Sequence, residues 1–263
     1  FAPDIVMFQS QGEGYINTAT VKHMRRIYRN TLLLNFHGDV RPRLSDFNIE
    51  MAKSVHLSLV ASPDLFDEYR AGGAFNLAYW PIAYDPEFEN AKRSNDPKGI
   101  VFLGNHYEGF PLSSMRHSAI KRLRDDGLPI RVWGSGWDLP TDGNTGDERQ
   151  RNAQIYGDAA LAISISQIDL WGYSSDRLYQ ICATGCPALV HRFRGMEQHG
   201  FIDGETCFVW DDPDGLVRLA RELLDNPERR EQIGQAGRQL VTTRHCYRER
   251  VKSLLSVLDG LAK

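Results

Sequence analysis

The sequence predicts an α/β protein made of two doubly wound parallel-sheet domains in series, the first of them short. Three observations carry that expectation. Short apolar runs such as LLLNF (32–36), LSLV (57–60) and IVFL (100–103) alternate with segments of helix length, the rhythm of βαβ units. Residues 85–99, DPEFENAKRSNDPKG, are polar, hold two prolines and lack an apolar period, as a linker does. Residues 163–190 read as a strand, a polar loop, a helix start and a further strand, the order found at the ligand-binding edge of open α/β sheets.

In chain order, residues 4–9 (DIVMFQ) read as a buried strand and 20–30 as a basic helix. TLLLNFHGDV is a second strand whose end carries His37 and Asp39. SDFNIEMAKSV opens on Ser45 and Asp46, good helix caps, and its length fits a helix. HLSLVAS is a third strand, 63–70 a helix stopped by Gly72 and Gly73, and FNLAYWPIA a last strand ending at Pro81. After the linker come strand GIVFLGN, a helix over 113–126, strand LPIRVWG, a helix from Glu148 to 158, strand ISIS, the helix opening near Ser175, and strands PALVHRF and TCFVWDD. The last stretch is helical, with Leu216, Leu219, Ala220, Leu223 and Leu224 on one face. The boundaries expected are 1–90 for the first domain and 91–263 for the second.

Bulk properties narrow the function classes. The chain has 263 residues, 41% hydrophobic and 25% charged, with 31 Lys and Arg against 34 Asp and Glu for a net charge of −3. That is an ordinary globular composition, with no basic excess to indicate a nucleic-acid partner. No uncharged run reaches the roughly 18 residues of a membrane span, and no signal peptide is expected. Cys182, Cys186, Cys207 and Cys246 lack CxxC spacing, so reduced thiols in a cytoplasmic protein are expected, not a zinc site or a disulfide framework. The chain starts at Phe1, directly before a strand, and further residues upstream are expected.

The central stretch, SDRLYQICATGCPALV, resembles the donor-binding segment of the CgeB-like glycosyltransferases, a branch near the group 1 transferases of GT-B fold. The family pattern is Ser-x-Arg-x-aromatic-Glu, four residues, Gly, then Pro or a small residue. Here it is Ser175, Arg177, Tyr179, Gln180, Gly185 and Pro187. The downstream segment from FIDGETC to YRER is similar to the family's closing segment, ending in His245, Tyr247 and Arg250. The resemblance runs from about Gly99 to the C-terminus. It implies two Rossmann-like domains, a nucleotide-diphosphate sugar as co-substrate on the second, an acceptor on the first, and no bound metal or other cofactor.

The loop Gly172, Tyr173, Ser174, Ser175 and the helix it opens offer unpaired N–H groups and a positive dipole end for a diphosphate. Arg177 adds a planar, permanently charged fork; the alternative is a surface pair with a carboxylate. Gln180, three residues on, stands where the relatives have a Glu that resembles a ribose ligand. The acidic residue that group 1 enzymes carry eight positions earlier is replaced by Gly172. Gly104 and Asn105 close the first strand of the second half, with Arg116 near the next helix start. The resemblance places donor phosphates there, while a glycine after a strand is also an ordinary turn. Trp133, Gly134, Ser135, Gly136 and Trp137 resemble the family's Gly-x-Gly-Trp beside the base, or are packing. No G-x-G-x-x-G fingerprint and no Walker A sequence is present.

In the first half, His37 or Asp39 is placed to deprotonate or orient an acceptor hydroxyl. The alternative is a turn-capping Asp39 beside a structural His37. The expected function is transfer of a sugar from a nucleotide-diphosphate donor to a hydroxyl of a glycan, protein or small molecule. Gln180 and Gly172 keep open a non-catalytic nucleotide-sugar or carbohydrate-binding relative; an unrelated Rossmann-type enzyme is disfavoured by the absent fingerprint.

Overall fold

The computed structural model describes residues 3–261 apart from 13, 15 and 146–148. Contacts divide the chain into two units: residues up to Ile82 with Leu170–Tyr173, and Ala83–Asp169 with the chain from Ser174 on.

The first unit holds a parallel sheet of β1 (Ile5–Phe8), β2 (Leu32–His37), β3 (Leu57–Val60) and β4 (Leu77–Tyr79), in that order. β2 and β3 are almost fully buried on both faces, mostly by apolar side chains but with Asn35, His37 and Ser58 also enclosed, as inner parallel strands are. β1 pairs only with β2, so Ile5 and Met7 are exposed; the sequence read this strand as buried because its residue types suit either position. β4 is shorter than expected. Trp80 N–H makes the last bond to β3, and Pro81 has no N–H to continue the ladder.

Local signals set the helices. Asn17 caps α1 (Thr18–Ile27) by accepting from Thr20 N–H, and Ser45 with Asn48 forms a capping box on α2 (Asp46–Ser54). α1 and α2 close over Val21, Leu33, Phe47, Met51 and Val55. A 3₁₀ turn at Pro63–Leu65 runs into α3 (Phe66–Ala71).

The second unit has five parallel strands, β5 (Ile100–Leu103), β6 (Ile130–Trp133), β7 (Leu161–Ser164), β8 (Ala188–His191) and β9 (Phe208–Trp210), ordered β6-β5-β7-β8-β9. The chain moves outward from β5 to β6, then returns past β5 to β7. Right-handed crossovers therefore divide the helices between the two faces. α4 (Ser113–Asp125) packs with α7 (Pro213–Leu224), and α6 (Asp176–Ala183) with α8 (Pro227–Arg244). α5 covers Arg149–Asp158; its expected start at Glu148 lies outside the described residues. Asp212 and Asn226 cap α7 and α8, each followed by a proline in the first turn.

The segment read as a linker is docked on this unit. Phe88 is buried, and Arg93 Nη1 donates to the carbonyls of Tyr156, Gly157 and Ala159. Its polarity therefore serves the end of α5 as much as solvent. At the other end of the chain, before α9 (Tyr247–Leu261), the His245 ring stacks on Phe201 with centroids 5.7 Å apart and lies beside Tyr179. The family's closing His and Arg are thus core residues here. All four cysteines are unpaired and buried, and no described helix is long and apolar enough to cross a membrane.

Candidate functional site

A parallel sheet whose connections reverse direction leaves a crevice at the carboxyl ends of the two strands astride the reversal. In the second unit those strands are β5 and β7. Two arginines converge there. Arg177, in the first turn of α6, donates from Nε to Leu103 O at 2.5 Å and from Nη1 to Ile165 O at 3.0 Å and Ser175 Oγ at 3.1 Å. Arg116, 1% exposed in the first turn of α4, donates to Asn105 O at 2.8 Å and to the same Ile165 O at 2.6 Å. Both guanidinium carbons lie on the Phe102 ring, 4.8 Å and 5.5 Å from its centroid.

Carbonyl oxygens rather than carboxylates thus hold Arg177. It joins no ion pair among the described residues, and its Nη2 makes no hydrogen bond there. A guanidinium fixed through Nε and Nη1 is oriented but not neutralised. The surface ion pair considered for it does not form.

The glycines around this point are close-approach positions. A Cβ on Gly104 would lie 2.4 Å from Arg177 Nη2. A Cβ on Gly134, at φ 143°, would lie 2.2 Å from Gly104 O, and one on Gly136, at φ 78°, 2.1 Å from His106 O. The ends of β5 and β6 continue as paired backbone, with Gly104 N–H on Trp133 O and His106 N–H on Ser135 O. Asn105 Oδ1 accepts from Ser135 N–H, and the Trp137 indole donates to Gly104 O. Trp137 packs on Phe102, so this tryptophan holds the turn.

Ser175 is the N-cap of α6, yet its side chain takes no helix N–H; its hydroxyl accepts from Arg177 instead. Ser175 N–H is held by Ser166 Oγ at 3.1 Å. Ser174 is buried, its hydroxyl directed to Ser175 O. Tyr173 belongs with the first unit and is 8% exposed. Gln180 turns its amide to Asp176, with Nε2 donating to Oδ2 at 2.8 Å, so Arg177 and Gln180 diverge despite their spacing of three.

In the first unit, His37 is 1% exposed and hydrogen-bonded to the Tyr69 hydroxyl at 2.8 Å. Burial lowers its pKa to about 4, against a smaller opposing pull from Asp39. Asp39 itself is exposed and paired with Arg41 at 2.6 Å. Among the described residues no group of three His, Cys, Asp or Glu side chains is placed to hold a metal.

Sequence reasoning missed Phe102, Ser166 and the carbonyls of Leu103 and Ile165 as parts of this site. Their signal lay in topology, because only the strand order shows that β5 and β7 are neighbours.

Fold and site together define a GT-B-like α/β protein with a cationic switch point in its second unit. Residues 115–256 match the glycosyl transferase-like family, and the chain belongs to that family. No curated protein sequence matches it significantly. Among solved structures, Anabaena Alr3699/HepE, determined with UDP and glucose, superposes with a TM-score of 0.71 at 11% identity over 97% of this chain and 77% of its own. The sucrose-phosphate synthase of Thermosynechococcus elongatus gives 0.67 at 11% identity over 98% and 73%. S. aureus TarM gives 0.66 at 11% over 96% of this chain, which spans only 54% of the TarM chain. At such identities these likenesses carry the fold.

Proposed function

We propose that the chain is a glycosyltransferase of the CgeB-like branch, transferring a sugar from a nucleotide-diphosphate sugar to an acceptor hydroxyl. One observation carries this reading. Arg116 and Arg177 meet on Ile165 O at the carboxyl ends of β5 and β7, beside the start of α6, with Arg177 Nη2 unspent. Such a point suits the diphosphate of the donor. The solved relative Alr3699/HepE, determined in complexes with UDP and with UDP-glucose, supports the nucleotide class.

In the reaction the acceptor O–H attacks the anomeric carbon, the bond from that carbon to the β-phosphate oxygen breaks, and nucleoside diphosphate leaves with the negative charge. The guanidiniums and the α6 dipole stabilise that charge, and no divalent ion is required in this reading. The hydroxyl proton passes to an acceptor-side base, for which Asp39 is the exposed candidate. His37, enclosed against Tyr69, then positions the loop.

Calorimetric titration with UDP and with pyrophosphate tests the donor site. Arg177→Ala should weaken both by about 1.5–3 kcal/mol, the range for a hydrogen bond to a charged group. Transfer should survive a chelator and fall about 10²-fold or more in Asp39→Ala. Wild-type binding of both ligands by Arg177→Ala would move the donor site elsewhere.

A further inference from the structure

A second cationic cavity lies at the other end of the same sheet, where the chain enters β5 and β7. It measures about 460 Å³ and is lined by residues 93–97 with Pro227, Arg230 and Glu231 from the start of α8. Arg93 is fixed there by its three carbonyl acceptors at the end of α5. Arg230 is only 7% exposed. Its Nη1 closes the C-terminus of α7 through Leu223 O and Leu224 O, which leaves Nη2 without a hydrogen bond and Nε buried and unpartnered. Arg93 Nε is also unpartnered by hydrogen bonding.

The local carboxylates offset this pair only in part, through one long ion pair from Glu231 to Arg93 and the field of Asp225 at Arg230. Glu231 Oε2 stands 3.9 Å from Arg93 Nε, and its Oε1 accepts from Gln235. Asp96 is turned to Lys98 at 2.7 Å. Burial, then the neighbouring Arg93 cation, pulls Arg230 below the usual guanidinium range, with Cys186 and Asp225 opposing. Two like charges side by side, one nearly buried with donors to spare, are costly without an anion between them.

We propose that this cavity binds a phosphate-class oxyanion, inorganic phosphate or the phosphate of a small metabolite, between Arg93 and Arg230. The bound anion tethers the 93–97 segment to the start of α8, so it controls how firmly that segment is docked on the sheet. The site shares no residue with the switch point.

The probe is inorganic phosphate titrated into the whole chain, at ionic strength matched with chloride, with thermal shift and calorimetry as readouts. Saturable binding and a rise in melting temperature are expected. Arg230→Met should weaken phosphate about ten- to a hundredfold while leaving UDP binding unchanged. Glu231→Gln removes the competing carboxylate and should tighten phosphate severalfold. That variant also decides the matter if Arg230→Met fails to fold. A phosphate response no greater than the chloride control, a wild-type response in Arg230→Met, or no gain in Glu231→Gln each overturns the site. UDP titrated alongside separates the two readings, because absent UDP binding with an Arg230-dependent phosphate response discards only the donor proposal.

Discussion

At the switch point the cost of a side chain depends on what its neighbour can do. A Cβ on Gly104 meets the Arg177 guanidinium, the far end of a flexible side chain, whereas a Cβ on Gly134 meets the Gly104 carbonyl, which is paired backbone. Gly134 also has φ 143°, where only glycine sits without strain. Gly104→Ala should therefore displace Arg177 and weaken nucleoside diphosphate binding about tenfold or more with a near-normal melting temperature. Gly134→Ala should lose about 1–3 kcal/mol of stability instead. Melting and UDP titration of both variants check this, and equal destabilisation by the two would remove the distinction. Gln180 obeys the same kind of rule. Because its amide donates to Asp176 one helical turn earlier, Gln180→Glu places like charges at i and i+4, a loss of about 0.2–0.5 kcal/mol. That variant alone should not improve UDP binding, whereas Asp176→Asn with Gln180→Glu should. Equal affinities for the single and double variants would take Asp176 out of the account.

The elements divide sharply in what their sequences reveal. Inner strands such as β2, β3 and β5 are predominantly apolar runs, broken only by Asn35 and His37 in β2 and by Ser58 in β3, a pattern that depends on burial of both faces and so shows in the chain itself. Caps at Asn17, Ser45, Asp212 and Asn226 are local chemistry and equally readable. The edge position of β1 is a property of its neighbours, which no window of residues contains, whereas the end of β4 at Pro81 is local. The site follows the same division. Arg177 and Gly104 stand out by motif, but that one touches the other depends on β5 lying beside β7. Ser175 was readable as a cap, while the Arg177 fork that occupies its hydroxyl was not. The Asp176–Gln180 pair follows from helical spacing alone.

For the molecule as a whole, buried histidines make stability depend on acidity. Arg250 Nη2 lies 2.8 Å from His245 Nδ1. A guanidinium only donates, so Nδ1 accepts and Nε2–H donates to His199 O. Protonation would put a hydrogen on Nδ1, facing the arginine. Burial first, and Arg250 second, lower the His245 pKa to about 3, and the same causes in the same order bring His199 to about 4. In the first unit burial brings His37 to about 4. The unfolded chain would protonate all three near pH 6.5. Between that pH and the folded-state values the unfolded state binds more protons, so stability falls as pH falls. Above pH 6.5 these groups are neutral in both states and contribute no slope. Each histidine should remove about 1.4 kcal/mol per pH unit within the window. Urea melts at pH 6.0, 5.5 and 5.0 stay above the range of ordinary carboxylates and so isolate the histidines. His245→Gln keeps a carbonyl for Arg250 and an amide donor for His199 O, but has no proton to gain. Its stability should decline with pH less steeply than wild type by about one proton. Parallel pH profiles for the two proteins would show that His245 does not titrate against folding.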